Sequence, residues 1–381
     1  MLRVTRREWL AVSGLALSSA CGPKKGTGYA GYALIATSGD NSVAVVDLTA
    51  FKLLRPIQLN ASPSAVVPGG PGGRIYVLTP STGSVHVLTS ELARIATHRL
   101  ADQLSAIRVA ADGKRLVAIS AKSHELIEAD AISLKVRRRR KLQGEPLNID
   151  VAQTLPYVAV TTAGDPGTVE LFHLDNGQHW RTQMPGRVGD VRFRADGQLL
   201  LAANFHDCSL TVLNVPTLEL VADLPLAMQP QNLCFNSDQG QLFVTGEGMD
   251  GIAIVFPYNT LVDQTVLAGR DPGVMASSGP SPAYLFVASN NGSDVCVLNI
   301  YSRKVIGIVD AGSQPTYITI TPDNQYALVL DEQAGQMAVI HIPAIQNTED
   351  AGHNFRRKAG ASLFTMIPVG ERPVQAAVVP G

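Results

Sequence analysis

The sequence has few charged and few aromatic side chains. Of its 381 residues, 17% are charged and 6% are aromatic, whereas 45% are hydrophobic. A chain with this balance can bury enough apolar surface to fold, which excludes a disordered protein and a highly charged coiled coil. The formal net charge is −1, so no overall positive field attracts nucleic acid. We therefore expect no nucleic-acid partner.

The chain also lacks the short motifs that carry known chemistry. Its four cysteines form no C-x-x-C or C-x-x-C-H motif, and its eight histidines form no H-x-H or H-E-x-x-H motif. The first absence excludes a covalently attached c-type haem, and the second excludes the common helical zinc-protease site. No hydrolase or nucleotide-binding string is present either. The sequence predicts neither a metal nor a cofactor.

Residues 1–21 are predicted to be an export signal. Basic residues come first, an apolar run begins at Trp9 and ends at Leu17, and small residues follow. Arg6 and Arg7 resemble the arginine pair of a twin-arginine signal. An uncleaved N-terminal membrane anchor is the alternative. The expected location is the periplasm or an outer or cell-surface membrane.

The end of this signal resembles a lipoprotein cleavage site. In the string SACG, Cys21 stands where the acylated cysteine of a lipoprotein lies, although Ala20 also suits ordinary signal peptidase. We expect lipidation of Cys21, and with it attachment to a membrane. Residues 22–31 are then a polar, glycine-rich linker, and the folded domain covers residues 32–381.

Three cysteines remain in the expected domain. Cys208, Cys234 and Cys296 are far apart in the sequence. Three cysteines allow at most one disulfide and leave a free thiol. We favour three free cysteines that pack as small apolar residues.

A repeat of 41 to 43 residues runs through the whole domain. One pattern recurs eight times: a turn, a small or polar residue, and then alternating apolar positions. The first apolar position of each copy is Val43, Val85, Leu126, Val169, Leu210, Ile252, Val295 and Met337. Four short strand patterns lie within each period, several of them joined by Asp-Gly or Asp-Asn turns. Four strands every 40-odd residues are typical of the blade of a β-propeller.

The two ends of the repeat predict how the ring closes. Residues 32–37, 43–48 and 53–59 form three strands with no preceding first strand, and residues 373–379 form a first strand with no successors. The C-terminal strand would therefore complete the N-terminal blade, which removes a sheet edge. We predict an all-β, eight-bladed propeller of four-stranded antiparallel blades, with seven blades as the alternative.

The repeats resemble those of the YVTN family of β-propellers. Residues 284–315, YLFVASNNGSDVCVLNIYSRKVIGIVDAGSQP, follow its order of strand, Asn/Gly turn, V-x-V strand, turn, strand and Gly-x-x-Pro corner. Asp47-Leu48-Thr49 and Gly370-Glu371-Arg372-Pro373 fit the same template. The resemblance implies a fold similar to the eight-bladed d1-haem domain of cytochrome cd1 and to periplasmic or surface binding propellers. Such a fold does not by itself specify an activity.

Candidate binding residues follow from the loop order. With the strands of a blade named a to d from the ring axis outwards, the d–a and b–c loops share one face, and both chain termini lie on the other. The resemblance to other propellers implies that a ligand is bound on the d–a/b–c face. We expect its polar residues to be Asp40, Asn41, His124, Asp165, Arg187, Asp190, His206, Asp207, Glu247, Arg270, Asn290, Asp331 and Arg372.

One group on this face suggests chemistry. His206 and Asp207, with Arg187 and Glu247, could perform acid–base chemistry in the manner of a lactonase-like or haem-handling propeller. The competing interpretation is that Asp and Asn side chains at these positions cap turns by accepting hydrogen bonds from nearby backbone N–H groups. The leading prediction is a monomeric binding scaffold for a protein or small-molecule ligand of unspecified identity. Enzyme activity is the alternative.

Two further segments stand out. Arg137 to Lys141 form a basic run on a predicted outer strand, where alternation would place Arg137 and Arg139 on one face and Arg138 and Arg140 on the other. We interpret this charge as protection of a sheet edge, with an anionic lipid or polysaccharide as the alternative partner. Residues 343–362 form a long insertion between strands c and d of one repeat, and we predict disorder or partner contact there.

Overall fold

The computed structural model describes residues 28–345 and 362–381. The export signal, Cys21 and most of the linker lie outside the described residues, as do residues 346–361 of the insertion. The described chain forms eight sheets arranged as a ring, so the predicted eight-bladed all-β propeller is confirmed. These residues include single 3₁₀ turns at Pro80–Thr82 and Ile342–Ala344, and no helix among them is long and apolar enough to cross a membrane.

The strands are numbered in chain order, and the blades are numbered from the N-terminus. Blade 1 contains β1 (Gly31–Thr37), β2 (Ser42–Asp47), β3 (Lys52–Leu53), β4 (Ile57–Gln58) and, from the C-terminus, β33 (Pro373–Pro380). Blade 2 contains β5 (Ala65–Gly70), β6 (Arg74–Thr79), β7 (Ser84–Leu88) and β8 (Arg94–Arg99). Blade 3 contains β9 (Ala106–Val109), β10 (Arg115–Ser120), β11 (Glu125–Asp130) and β12 (Val136–Lys141). Blade 4 contains β13 (Pro146–Val151), β14 (Tyr157–Thr162), β15 (Gly167–His173) and β16 (His179–Met184).

The other half of the ring repeats this arrangement. Blade 5 contains β17 (Val188–Phe193), β18 (Leu199–Asn204), β19 (Ser209–Asn214) and β20 (Leu220–Pro225). Blade 6 contains β21 (Gln229–Phe235), β22 (Leu242–Glu247), β23 (Gly251–Phe256) and β24 (Leu261–Leu267). Blade 7 contains β25 (Pro272–Ser277), β26 (Tyr284–Ser289), β27 (Asp294–Asn299) and β28 (Lys304–Asp310). Blade 8 contains β29 (Pro315–Ile320), β30 (Tyr326–Asp331), β31 (Gln336–His341) and β32 (Leu363–Pro368).

The tight turns between strands a and b follow from local side-chain chemistry. The carboxylates of Asp112, Asp196 and Asp323 each accept a hydrogen bond from the backbone N–H two residues later, at 2.8, 3.0 and 3.1 Å. The residue after each Asp has a positive φ, between 60° and 72°. Glycine and asparagine tolerate this left-handed conformation best, which is why Asp-Gly and Asp-Asn mark these hairpins.

The ring closes as predicted through β33. This strand pairs antiparallel with β1, from Gly31 opposite Pro380 to Thr37 opposite Pro373. It also contacts the innermost strands of blades 8 and 2, β29 and β5. Both ends of the described chain therefore lie on the a–b face. The outer strand of blade 1 differs from the prediction. The structure has two short strands, β3 and β4, where one strand at 53–59 was expected. Pro56, which has no N–H to donate, lies between them.

The core consists of eight separate apolar clusters, one between each pair of neighbouring blades. The cluster between blades 8 and 1, for example, joins Leu328 and Leu330 to Ala33 and Ile35, all fully buried. The middle strands b and c supply most of these residues, which explains why they are nearly continuous apolar runs. Each blade is therefore held by both of its neighbours, and the eight innermost strands are positioned around a central channel.

Candidate functional site: the central channel

The innermost strand of each blade is a free sheet edge, so some of its backbone groups need partners from side chains. Neighbouring blades provide them. The side-chain oxygen of Gln375, on β33, accepts a hydrogen bond from the N–H of Val66 in blade 2 at 2.6 Å. The carboxylate of Asp150, on β13, accepts one from the N–H of Phe193 in blade 5 at 2.8 Å. The polar residues of the inner strands thus tie adjacent blades together along the channel.

Charge in this wall is confined to three adjacent blades. The eight inner strands carry four charged residues, namely Arg108 on β9, Asp150 on β13, and Asp190 and Arg192 on β17. Their charges influence one another's pKa, so the four side chains form one electrostatic group, which we call the channel cluster. The inner strands of the other five blades carry no charged residue.

Asp190 is the most fully paired member of the channel cluster. Its Oδ1 accepts hydrogen bonds from the side-chain amide of Asn148 at 2.5 Å and from the N–H of Val191 at 2.9 Å. The guanidinium of Arg192 lies 2.9 Å from the same oxygen. Because the side-chain oxygen of Asn148 accepts from the N–H of Ile149, its NH₂ group must face Asp190.

Burial raises the pKa of both carboxyl groups in the cluster. For Asp150 and Asp190, loss of hydration is the largest effect, and it outweighs the opposing attraction of Arg192 and Arg108. Asp150 raises the pKa of Asp190 further by like-charge repulsion. The cluster therefore holds a proton more tightly than two exposed aspartates would.

Arg108 has no matching acidic partner. Its guanidinium donates to the carbonyl of the preceding residue, Ile107, at 2.9 Å, and among the described residues it forms no ion pair. Burial lowers its pKa, and the like charge of Arg192 lowers it further. A half-buried guanidinium with unused donors is costly for the protein but well suited to an anionic group.

Tyr317 lies on β29, the inner strand of blade 8. Burial raises the pKa of Tyr317 and outweighs the lowering effects of the hydrogen bond to Gln375 and the charge of Arg108, so the phenol stays protonated. Gln375 donates from its Nε2 to the Tyr317 hydroxyl oxygen at 3.2 Å. The amide orientation is fixed because the other end of Gln375 accepts from Val66. The hydroxyl hydrogen of Tyr317 is thus left available to another acceptor.

Sequence reasoning missed most of this site. Asp190 was named among the candidate residues, whereas Arg108, Asp150, Arg192 and Tyr317 were not. A signal was present, since β13 and β17 carry polar residues two positions apart, Asn148 with Asp150 and Asp190 with Arg192. That spacing places both side chains on one face of a strand.

The side chains of the His206 group make separate contacts. The His206 side chain is 69% exposed, and its Nε2 lies 3.9 Å from Asp207, beyond hydrogen-bond distance. Asp207 instead interacts with Asn204, which donates to its carboxylate at 3.1 Å and accepts from its N–H at 3.2 Å. Glu247 accepts from the side chain of Gln231 at 2.6 Å. The hydrogen-bonded acid–base pair that the catalytic alternative requires is not formed in this geometry.

Arg187 and Arg372, on the same face, make separate local contacts. The Arg187 guanidinium lies 5.7 Å from the centre of the Phe205 ring, and Arg372 pairs with Glu332 at 3.2 Å. These contacts hold the two arginines beside residues of their own face.

Other candidate residues on this face stabilise corners. Asp40 accepts from the N–H of Glu371 at 2.7 Å. Asp331 is fully buried and accepts from both the N–H and the hydroxyl of Ser313. Asn41 accepts from the Ser62 hydroxyl at 2.8 Å. The remaining predicted residues, all in the loops of this face, are His124, Asp165, Arg270 and Asn290.

Arg270 lines a cleft of about 560 Å³ between blades 6 and 7. Cys296 lies in its wall, and burial raises the pKa of that thiol to about 12, so it stays protonated. Cys208, Cys234 and Cys296 are all free, as favoured from the sequence. Within residues 28–345 and 362–381, no three His, Cys, Asp or Glu side chains are grouped to bind a metal ion.

The basic run on β12 is divided between two faces, as alternation predicts. Arg139 donates to the carbonyl of Leu100 in blade 2 at 2.5 Å, whereas Arg140 donates to the carbonyl of Gly177 in blade 4 at 2.9 Å. Arg139 and Lys141 also pair with Glu125 on the adjacent strand. These contacts tie an outer edge to both neighbouring blades, in keeping with edge protection.

Comparison with known proteins shows similarity in structure rather than in sequence. No family model and no curated protein sequence matches the chain. Among solved structures, the dihydro-haem d1 dehydrogenase NirN in complex with DHE aligns with a TM-score of 0.75 and 14% identity, over 95% of this chain and 77% of that one. The chain shares the fold of a haem d1 propeller. The expected similarity to d1-haem domains is therefore confirmed, while membership of the YVTN family stays a prediction.

Two further structures extend the similarity. Apo AztD from Citrobacter koseri aligns with a TM-score of 0.66 and 12% identity, over 91% of this chain and 97% of that one. Hydrazine synthase from Kuenenia stuttgartiensis aligns with a TM-score of 0.55 and 14% identity, over 86% of this chain and all of that one. At such low identity these alignments establish the architecture, and the site must be argued from this chain's own residues.

Proposed function

We propose that this protein is a binding propeller that takes a small polar ligand into its central channel. The observation that carries the proposal is the channel cluster: four charged side chains, on three adjacent blades, in a wall that is otherwise uncharged. Burying charge is expensive, and a rigid ring needs none for its own stability. The energetic cost of burying these four charged side chains therefore favours a role in ligand recognition.

The ligand enters from the d–a/b–c face in this proposal. Both ends of the described chain lie on the opposite face, so an N-terminal anchor would hold that side toward a membrane. The protein is exported by its N-terminal signal and tethered through lipidated Cys21. Replacement of Cys21 by Ala tests the tether: we expect the protein to move from the membrane fraction to the soluble periplasmic fraction. Unchanged fractionation would exclude lipid attachment at this residue.

Ligand binding is tested with a panel of small molecules of different charge. The panel contains butyrate, butyramide, butylammonium, inorganic phosphate and haemin, and binding is measured by calorimetry and by thermal stabilisation. We expect at least one member to bind saturably. In the double variant Asp190→Asn/Arg192→Gln, which keeps the net charge, its affinity should fall by about tenfold or more, as expected when charge-assisted hydrogen bonds are lost.

A matched control exists on the outside of the ring. Arg303 and Asp263 form an ion pair between blades 7 and 6, and the double variant Asp263→Asn/Arg303→Gln removes it without touching the channel. Its ligand affinity should equal that of the wild type. If no panel member binds, or if both double variants bind alike, the channel proposal is wrong. A shift of the haemin Soret band that depends on the channel would instead favour the haem-handling alternative.

A further inference from the structure

We propose that a cleft between blades 2 and 3, on the d–a/b–c face, binds the phosphate group of a soluble phosphate monoester. This blade 2/3 cleft is outside the central channel, so the inference goes beyond the function proposed above. Its volume is about 470 Å³, within the size range of small-molecule sites. Of the eight described residues that line it, five are charged, namely Arg99, Asp102, Lys122, Glu125 and Arg139.

On one side of the cleft, Asp102 is the acidic partner of two cations. Arg99, at the end of β8, donates from its Nη2 to the Asp102 carboxylate at 2.6 Å. The ammonium of Lys122 lies 3.9 Å from the same carboxylate, beyond hydrogen-bond distance, and donates to no other described residue. Lys122 therefore brings three N–H donors to the cleft that the described protein does not use.

On the other side, Glu125 is likewise shared between two cations. Its carboxylate accepts from the Ser123 hydroxyl at 3.0 Å and from the Arg139 guanidinium at 3.3 Å, and it lies 3.1 Å from the ammonium of Lys141 at the edge of the cleft. Because Arg139 also donates to the carbonyl of Leu100, its guanidinium is held between the two blades. Four cations share two carboxylates, which leaves a surplus of two positive charges.

The repeat shows that the fold does not require these charges. The cleft of about 560 Å³ between blades 6 and 7 occupies the same place in the repeat. In the strand register, Ile308 stands there where blade 3 has Arg139. Two residues further on, Asp310 stands where blade 3 has Lys141. Since an outer strand forms with an apolar and an acidic residue at these positions, the two cations of blade 3 favour recognition of an anion.

The charge surplus favours a dianion. A carboxylate or a phosphate diester carries one negative charge, whereas a phosphate monoester carries about two at pH 7 and has three strong acceptor oxygens. Arg99, Lys122 and Arg139 come from three different segments of the chain, so their donors can reach separate oxygens of one phosphate group. A phosphate monoester therefore fits the cleft better than a planar carboxylate.

The surroundings of the cleft favour a soluble ligand. Residues 91–141 contain twelve Lys and Arg but six Asp and Glu, in a chain whose net charge is −1. This basic region attracts anions from solution. Both ends of the described chain lie on the opposite face of the ring, so a membrane held at that side would not meet the cleft. We therefore assign the phosphate group to a soluble molecule and make a lipid headgroup an outcome of the test.

The experiment compares probes of different charge on the full chain at constant ionic strength. The probes are glycerol 2-phosphate, dimethyl phosphate, sodium acetate and glycerol, with binding followed by calorimetry. We expect saturable binding of glycerol 2-phosphate, about tenfold weaker binding of the two monoanions, and no binding of glycerol. Co-sedimentation with phosphatidylcholine vesicles should be the same with and without added phosphatidate. An increase with phosphatidate that Lys122→Gln abolishes would overturn the assignment to a soluble ligand.

Two variants and a matched control test the residues. Lys122→Gln should weaken binding of glycerol 2-phosphate by about threefold to tenfold, because it removes one charged donor. Arg139→Ile, which introduces the blade 7 residue of the same register, should weaken it by about tenfold or more. Lys304→Gln removes an exposed lysine from the outer strand of blade 7 and should bind like the wild type. Should Arg139→Ile not fold, Lys122→Gln decides, since its ammonium has no hydrogen bond to a described residue to lose.

The remaining outcomes separate this site from the channel. If glycerol 2-phosphate binds Lys122→Gln and Arg139→Ile as tightly as the wild type, the site is wrong. Loss of binding in Asp190→Asn/Arg192→Gln but not in Lys122→Gln would place the phosphate in the channel, which supports the proposed function and overturns this inference. If dimethyl phosphate or acetate binds as tightly as glycerol 2-phosphate, the assignment to a monoester is wrong. Absence of saturable binding of glycerol 2-phosphate would refute the cleft and leave channel binding untouched.

Discussion

At the scale of single residues, buried charged groups that have partners within the protein can be distinguished from those that do not. Asp190 and Asp331 are buried, and each accepts several hydrogen bonds from its surroundings, which is how a folded chain tolerates buried carboxylates. Arg108 breaks this rule in the channel. Buried charged groups in natural proteins almost always have hydrogen-bonding partners, and the exceptions concentrate at functional sites.

The raised pKa of Asp150 predicts how stability depends on pH. A carboxyl group whose pKa is higher in the folded state stabilises the protein fully at acidic pH, and this contribution is lost as pH rises through the raised pKa. Asp150→Asn removes the titration but keeps an acceptor for the Phe193 N–H. We therefore expect the melting temperature of the variant, relative to wild type, to rise between pH 4 and pH 8.

Asp130 provides a control of opposite sign. A hydrogen bond from the Ser133 backbone, helped by hydrogen bonds from Arg137 and Ile132, lowers its pKa to about 2 against the smaller opposing effect of burial. Its stabilising effect is present above the ordinary carboxyl pKa and is lost only as pH falls through the lowered one. Asp130→Asn should therefore cost about 1–2 kcal/mol at pH 7, and less at pH 3. Melting curves of Asp150→Asn that parallel the wild type at every pH would contradict the argument for Asp150.

How much of the site the sequence could reveal depends on the distance along the chain to each partner. Asp40 and Asp207 were correctly placed in loops of one face because turn chemistry is local. The interaction between Asn148 and Asp190 joins residues 42 positions apart, and that between Gln375 and Val66 spans 309. No pattern within one repeat shows which inner-strand side chains of different blades will meet, so the channel cluster emerges only in three dimensions.

At the scale of the blade, the corners that lead into the inner strands β29 and β33 require a special backbone. Gly312 and Gly370 have φ values of +132° and +117°, and each precedes an inner strand that begins with proline. A Cβ on either glycine would lie 2.3 Å from a carboxylate oxygen, of Asp331 or Asp40 respectively. The Gly-x-x-Pro corner seen in the sequence is therefore explained by both conformation and close packing.

Replacement of Gly370 by Ala should be strongly destabilising. The variant combines an unfavourable φ with a steric clash against Asp40, and we expect a loss of about 2–4 kcal/mol in the free energy of unfolding. Gly72→Ala is the matched control, because Gly72 has a φ of +68° but no atom within 4 Å of the added Cβ. It should cost about 1 kcal/mol. Urea unfolding measures both, and equal losses would show that the clash is relieved at little cost.

At the scale of the whole molecule, stability depends on closing the ring. Each apolar cluster needs two blades, so an open ring would leave one cluster without its second wall. The strand β33 contributes to two clusters at once: Ala376 packs between blades 8 and 1, and Ala377 and Val379 pack between blades 1 and 2. The sequence predicted this closure because a missing first strand and an orphan last strand are visible in the repeat itself.

Removal of β33 should therefore destabilise the entire ring and not only its first blade. A chain ending at Arg372 exposes the full edge of β1 along with the faces of two apolar clusters. We expect it to lose cooperative thermal unfolding. A synthetic peptide of residues 373–381, added in excess, should restore cooperativity by pairing with β1, as extended peptides do when they complete an open sheet. The same peptide carrying Ala376→Asp should not, because residue 376 is only 2% exposed in the closed ring. If the truncated chain melts like the wild type, seven complete blades suffice, and closure by β33 contributes little to stability.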